Sequence, residues 1–196
     1  MTQANWLAMR DAIVRAVEVD GCDAVLLLHG TDTLAYSAAA LSFLLLGLAV
    51  PVILTGAMLP AGVAGTDAWI NLFGAMQLLG SGVAPGVHLY FNGQLLHGTH
   101  ASKLNSEALD AFADTQRPYQ AVDRIALPAH LHYQMPRREV ALAVQPLFPG
   151  LQACQLRALL DSDIQALVLE CFGGGTGPSE NRELMTLLRQ AHERGI

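Results

Sequence analysis

Charge is scarce along this chain and no block of one sign occurs: 14% of the residues are charged, eleven basic against seventeen acidic, for a formal charge of −6. Nucleic acids and anionic membrane surfaces are recognised by clustered Lys and Arg, so the pattern argues against both partners. Cysteine is nearly absent. Cys22, Cys154 and Cys171 are widely spaced and form no C-x-x-C pair, which removes the usual zinc and redox signatures and leaves buried free thiols as the expectation. No long uninterrupted apolar run is present either. The strongest one, residues 34–54, is broken by Ser37, Ser42, Gly47 and Pro51, and it reads as a buried helix and strand, not as a membrane span. Residues 1–14 carry several polar side chains and no uninterrupted apolar core, and do not read as a secretion signal. What the chain does have is apolar surface to hide, with 52% hydrophobic residues over a length of 196.

The arrangement of those apolar residues predicts the elements. Trp6, Met9, Ile13 and Val17 recur at helical spacing behind Thr2, a capping residue, so a helix is expected over 1–18, ended by Gly21. The run 24–28 is apolar on both alternating faces, as in a strand covered on both sides. The polar segment His29-Gly30-Thr31-Asp32-Thr33 follows, then a helix over 34–46. The alternation repeats with a strand at 51–54, a loop at 55–65, Thr66 as a cap, a helix at 69–79 and a strand at 87–91. Such βαβ spacing predicts an α/β fold with a doubly wound, mainly parallel, Rossmann-like three-layer sheet. Residues 1–116 are expected to form this domain and 117–150 a linker with extended segments. Residues 151–196 read as the start of a smaller α/β domain, with helices at 151–160 and 179–193 around a strand at 166–171.

Ligands of doubly wound sheets bind beyond the carboxyl ends of the strands, which points to Thr31 and Asp32 after one apolar run and to Thr55 and Gly56 after another. A threonine hydroxyl reacts only when a base, or a cation that stabilises its deprotonated form, activates it. A carboxylate in the same turn can hold a substrate ammonium by a charge-assisted hydrogen bond. Thr and Asp are equally the residues that cap a helix at such a turn, and spacing alone leaves both roles open. Lys103, among the small residues of Gly98-Thr99-His100-Ala101-Ser102-Lys103, can be a partly buried proton carrier or an ordinary solvated charge. The glycine cluster 173–177 before Pro178 lacks the endings of a P-loop or a dinucleotide site and reads as a tight turn. His97 and His100, three apart with no carboxylate or thiol between them, give no metal signature, and neither a metal nor an organic cofactor is expected.

Taken together, Leu28-His29-Gly30-Thr31-Asp32-Thr33-Leu34-Ala35-Tyr36-Ser37-Ala38-Ala39-Ala40-Leu41-Ser42-Phe43 closely resembles the second signature of the asparaginase/glutaminase family. The similarity continues through Pro51-Val52-Ile53-Leu54-Thr55-Gly56-Ala57, Thr66-Asp67 with Asn71-Leu72, Leu89-Tyr90-Phe91-Asn92-Gly93, Ala101-Ser102-Lys103 and Asp110-Ala111-Phe112. In style these motifs resemble the cytoplasmic type I branch. The resemblance implies a cytoplasmic amidohydrolase, homodimeric or homotetrameric when complete, that converts L-asparagine to L-aspartate and ammonia. Thr31, Asp32 and Lys103 match three active-site positions of the family. By the same matching Asp32 would hold the substrate's α-ammonium, and the backbone around Gly30 and Ala57 would line the amide pocket. Family members begin with a strand and a T-G-G-T-I segment whose first threonine is generally taken as the nucleophile, then a loop with a catalytic tyrosine. Their D-S-S/A segment, which holds the substrate carboxylate, would fall immediately before Met1. The resemblance therefore implies a site incomplete at its N-terminal edge, inactive and poorly soluble as these residues alone. At 175–178, where relatives often carry Gly-Asn-Ala-Pro, Thr176 replaces the asparagine. Two other readings remain: a module that binds an amino acid through Asp32 without hydrolysing it, and an unrelated doubly wound domain in which Thr31 and Asp32 are helix caps.

Overall fold

The computed structural model describes residues 1–114 and 126–196, so the first part of the expected linker, 117–125, lies outside the described residues. Helix α1 (Gln3–Glu18) starts where the sequence places its cap. Thr2 Oγ1 accepts from the Asn5 amide at 3.3 Å and Asn5 Oδ1 accepts from the Thr2 amide at 2.9 Å, a reciprocal box that satisfies two otherwise orphaned donors. Strand β1 (Val25–Leu28), helix α2 (Leu34–Leu44), strand β2 (Pro51–Thr55), helix α3 (Ala68–Gly80) and strand β3 (Gly86–Phe91) follow in alternation. Strand β4 (Gln94–His97) returns antiparallel on β3, giving a sheet of order β1-β2-β3-β4 whose first three strands are parallel.

Strand alternation divides the apolar side chains between two faces. Val52, Leu54, Val87, Leu89 and Phe91 pack with Ile13 of α1 and with Leu34, Ala38 and Leu41 of α2, whereas Ile53 and Tyr90 pack with Ala75 of α3. Helices therefore cover both faces, and this part of the chain has the three-layer α/β arrangement that the periodicity predicts. Each fully buried leucine or isoleucine here contributes on the order of 1.5–3 kcal/mol. Beyond β4, strands β5 (Ala101–Lys103) and β6 (Phe112–Asp114) form an antiparallel pair. Its anchor is Phe112, whose ring lies 4.9 Å from that of Phe91 in the main core. Residues around 133–135 are held on α1: Arg10 donates to the carbonyls of Tyr133 and Met135, and Tyr133 Oη donates to the Glu18 carboxylate at 2.8 Å.

Contacts divide the chain into Met1–Arg137 and Arg138–Ile196. In the second unit, β7 (Leu142–Pro146) pairs in parallel with β8 (Ala166–Glu170). Helices α4 (Ala153–Leu160) and α5 (Arg182–Glu193) bury Leu156, Leu160, Leu184 and Leu187 together. The last helix begins later than residue 179, because Gly175 N donates to Phe172 O and Asn181 N to Pro178 O, and these turns carry the chain on to Asn181, which caps α5 by accepting from Leu184 N at 3.1 Å. The expectation of buried thiols is corrected. All three cysteines are free and exposed. Cys22 lies in the turn after α1, Cys154 on the outer side of the first turn of α4, and Cys171 just past the end of β8, none of them on a core face. Among the described residues no helix is long and apolar enough to cross a membrane.

Candidate active site

The site forms where β1 runs out. Past Leu28 the chain stays paired for one more residue, with His29 N donating to Thr55 O at 2.8 Å. A 3-10 turn, Thr31–Thr33, then leads into α2. Thr31 and Asp32 thus lie at the carboxyl end of a parallel strand, beside the loop that leaves β2. The approach of that loop depends on Gly56, since a Cβ there would lie 2.2 Å from the His29 carbonyl oxygen.

Lys103, at the end of β5, completes the constellation from 71 residues away. Its Nζ donates to Asp32 Oδ1 at 2.7 Å and to Thr31 Oγ1 at 3.0 Å. Strand β5 packs on α2, and the small side chains of Ala35 and Ala39 line the same depression of about 490 Å³ as Asp32 and Lys103. The two charges differ sharply in access: 17% of the lysine side chain is exposed, against 94% of the aspartate side chain. A shielded cation therefore holds an open carboxylate. The hydrogen bond from Lys103, and after it the lysine's charge, keep the Asp32 carboxyl below its ordinary 3.8, with burial opposing weakly. Lys103 is also the only lysine of the chain, every other basic residue being arginine. No side-chain cap closes either the 3-10 turn or the start of α2, and the Thr31 and Asp32 side chains turn to Lys103 instead.

Gly30, Thr31 and Asp32 line an open groove of about 820 Å³ whose other wall is α1, through Asn5, Ala8, Met9 and Ala12. Gly30 also lines a depression of about 420 Å³ with Ala57, Thr55, Gly56 and Trp69. Thr31, Asp32 and Lys103 are therefore hydrogen-bonded together at one end of the sheet, with Gly30, Thr55, Gly56 and Ala57 lining the adjoining hollow.

Asp67 and Asn71, named in the sequence only as part of the family resemblance and without a role, support that hollow. The Asp67 carboxylate, buried at the start of α3, accepts from the Met58 and Leu59 amides at 3.0 Å each. Asn71, one turn later, donates from Nδ2 to Gly56 O at 3.0 Å and to Asp67 Oδ2 at 3.1 Å, and its Oδ1 accepts from Asn92 N at 2.9 Å. The Ala57 loop is thereby tied to α3 and to the end of β3. Thr66, expected as the cap of α3, does accept from Ala68 N at 3.1 Å, but it also donates to Leu59 O at 2.8 Å and so serves the same loop. The pair Asp67 and Asn71, four apart at the head of a helix, was the available signal. Elsewhere His97 and His100 have ring centroids 4.7 Å apart, and among the described residues no group of three metal-ligating side chains forms.

Residues 1–136 match the family described as Asparaginase, N-terminal. The chain belongs to the asparaginase family. The protein named L-asparaginase 1 of Escherichia coli (strain K12) is 32% identical to it, over all of this chain and 60% of that protein. The human protein named 60 kDa lysophospholipase is 35% identical, over all of this chain and 36% of that protein. The solved structure of the thermostable L-asparaginase from Thermococcus kodakarensis matches with a TM-score of 0.80 at 30% identity, covering 98% of this chain and 60% of that one. The chain thus spans three fifths or less of the length of these asparaginase-family relatives, which between them bear names for different activities.

Proposed function

We propose that this chain carries the substrate site of a cytoplasmic L-asparagine amidohydrolase, active as a homodimer or homotetramer. The observation that carries the reading is the bridge from Lys103 Nζ to Thr31 Oγ1 and Asp32 Oδ1 at the mouth lined by Gly30 and Ala57. The exposed Asp32 carboxylate receives the α-ammonium of L-asparagine by a charge-assisted hydrogen bond. The side-chain amide enters toward the backbone around Gly30 and Ala57. Lys103 gives a proton to the departing nitrogen and regains one, through the Thr31 hydroxyl, from the attacking water, so no net proton is left on the site. Water adds across the C–N bond, which breaks to give L-aspartate and ammonia. No step calls for a metal or an organic cofactor.

One observation favours a second reading, a module that binds the amino acid without hydrolysing it. Among the hydrogen bonds of the described residues Thr31 Oγ1 accepts from Lys103 Nζ, and no base accepts the hydrogen of the Thr31 hydroxyl. Calorimetric titration with L-asparagine, with ammonia measured in the same samples, separates the readings. Heat abolished in Asp32→Ala, with ammonia release abolished in Thr31→Ala, supports hydrolysis. Saturable heat without ammonia supports the binding module. A chain that yields neither heat nor ammonia sinks both.

A further inference from the structure

A fully buried serine on α2 has no part in the chemistry above. Ser37 Oγ accepts from Trp6 Nε1 of α1 at 2.9 Å, and His29 Nε2 lies 2.9 Å from the same oxygen. The other nitrogen of that ring, His29 Nδ1, lies 2.7 Å from the Gly30 carbonyl oxygen. A carbonyl oxygen can only accept, so Nδ1 bears a hydrogen. An indole N–H can only donate, so Ser37 Oγ accepts from Trp6; with Nδ1 bearing the hydrogen of a neutral ring, Nε2 is unprotonated and accepts the Ser37 hydroxyl hydrogen. The neutral Nδ1–H tautomer is thus the form in which every donor of this chain of groups meets an acceptor.

We propose that Ser37 is a positioning residue: by fixing the tautomer of His29 it clamps the Gly30 carbonyl and sets the turn that presents Thr31 and Asp32 to Lys103. The inference rests on the reading of those three residues as the substrate site. The backbone of His29 is already held, its N–H on Thr55 O at 2.8 Å and its carbonyl close against Gly56. Ring rotation is the freedom left to it, and Ser37 removes that freedom. A helical serine with no other duty bonds the carbonyl four residues back, as Ser42 does with Ala38 O at 2.7 Å. Ser37 instead reaches out of its helix and joins α1, α2 and the exit of β1 at the residue before Gly30.

Nitrogen-15 NMR of histidine-labelled chain reads the tautomer directly. The wild type is expected to be protonated at His29 Nδ1 and not at Nε2. In Ser37→Ala the tautomers mix, the resonance of the single lysine shifts, and L-asparagine binds on the order of tenfold more weakly, the usual scale for losing the support behind a site residue. Ser37→Thr, which keeps the hydroxyl, restores all three. Ser37→Cys, nearly isosteric and a weak hydrogen-bonding group, gives the same reading if the alanine variant fails to fold. Protonation at Nε2 in the wild type, or a tautomer and lysine resonance unmoved by both variants, overturns the inference. The tautomer and lysine readouts need no substrate. A chain that shows both changes but binds no asparagine overturns the proposed function and supports the relay.

Discussion

At the scale of single residues, the site depends on one cation in a chain that has no other lysine. Because Lys103 lowers the Asp32 pKa in the folded state, the ion pair is intact above the ordinary 3.8 and is lost as pH falls through the lowered value. Calorimetric titrations at descending pH should therefore show L-asparagine binding persisting below that ordinary value, while in Lys103→Met the loss sets in at higher pH. Loss at the same pH in both proteins would detach Asp32 from Lys103. Gly56 gives a second test. A methyl group there meets the His29 carbonyl oxygen, so Gly56→Ala is expected to lower stability by about 1–3 kcal/mol in thermal or denaturant unfolding, the usual scale of a forced backbone shift. Of these residues, the adjacency of Thr31 and Asp32 after an apolar strand was legible in the sequence. Their coupling to Lys103 was not, since a contact across 71 positions leaves no trace in spacing, and it was the family resemblance that joined them.

At the scale of elements, period alone placed the two helices and three parallel strands nearest the site to within a residue or two. The strand it missed, β4, follows a two-residue turn at Asn92-Gly93 with φ of 46° and 78°, the hairpin signature that the pair announces in any sequence. Strands β5 and β6 are three residues each, too short for any alternation to show. Polar support is less legible, because Thr66 reads as the cap of this helix and no spacing shows that the neighbouring Asp67 carboxylate holds the amides of Met58 and Leu59. Asp67→Ala is expected to cost about 1–3 kcal/mol, from buried amides left without an acceptor. Thr2→Ala, which removes a cap far from that loop, should cost about 1 kcal/mol and leave asparagine affinity unchanged. Denaturant melts and calorimetry on the two variants check both statements. Equal losses of affinity would mean that the Ala57 loop has no special bearing on the site.

At the scale of the whole molecule, much apolar surface stays open. Trp69, Ile70, Phe73 and Met76 on one side of α3 are 50–69% exposed, and Leu28, on an end strand of the sheet, is 68% exposed. Patches of this kind promote association, so light scattering should rise with concentration and fall in Phe73→Lys, with secondary structure unchanged. Scattering unaffected by that charge would place the sticky surface elsewhere. The composition had already required burial on this scale, but which faces remain uncovered is a matter of packing that no composition encodes. The central claim concerns the carboxyl ends of the parallel strands, and the single lysine makes it directly measurable. Carbon-13 lysine labelling gives one side-chain Cε resonance, that of Lys103, which can be followed while L-asparagine is added. A saturable shift in the wild type that is absent in Asp32→Asn is the expected result, and a lysine resonance that asparagine leaves unmoved would contradict the assignment of Thr31, Asp32 and Lys103 as its site.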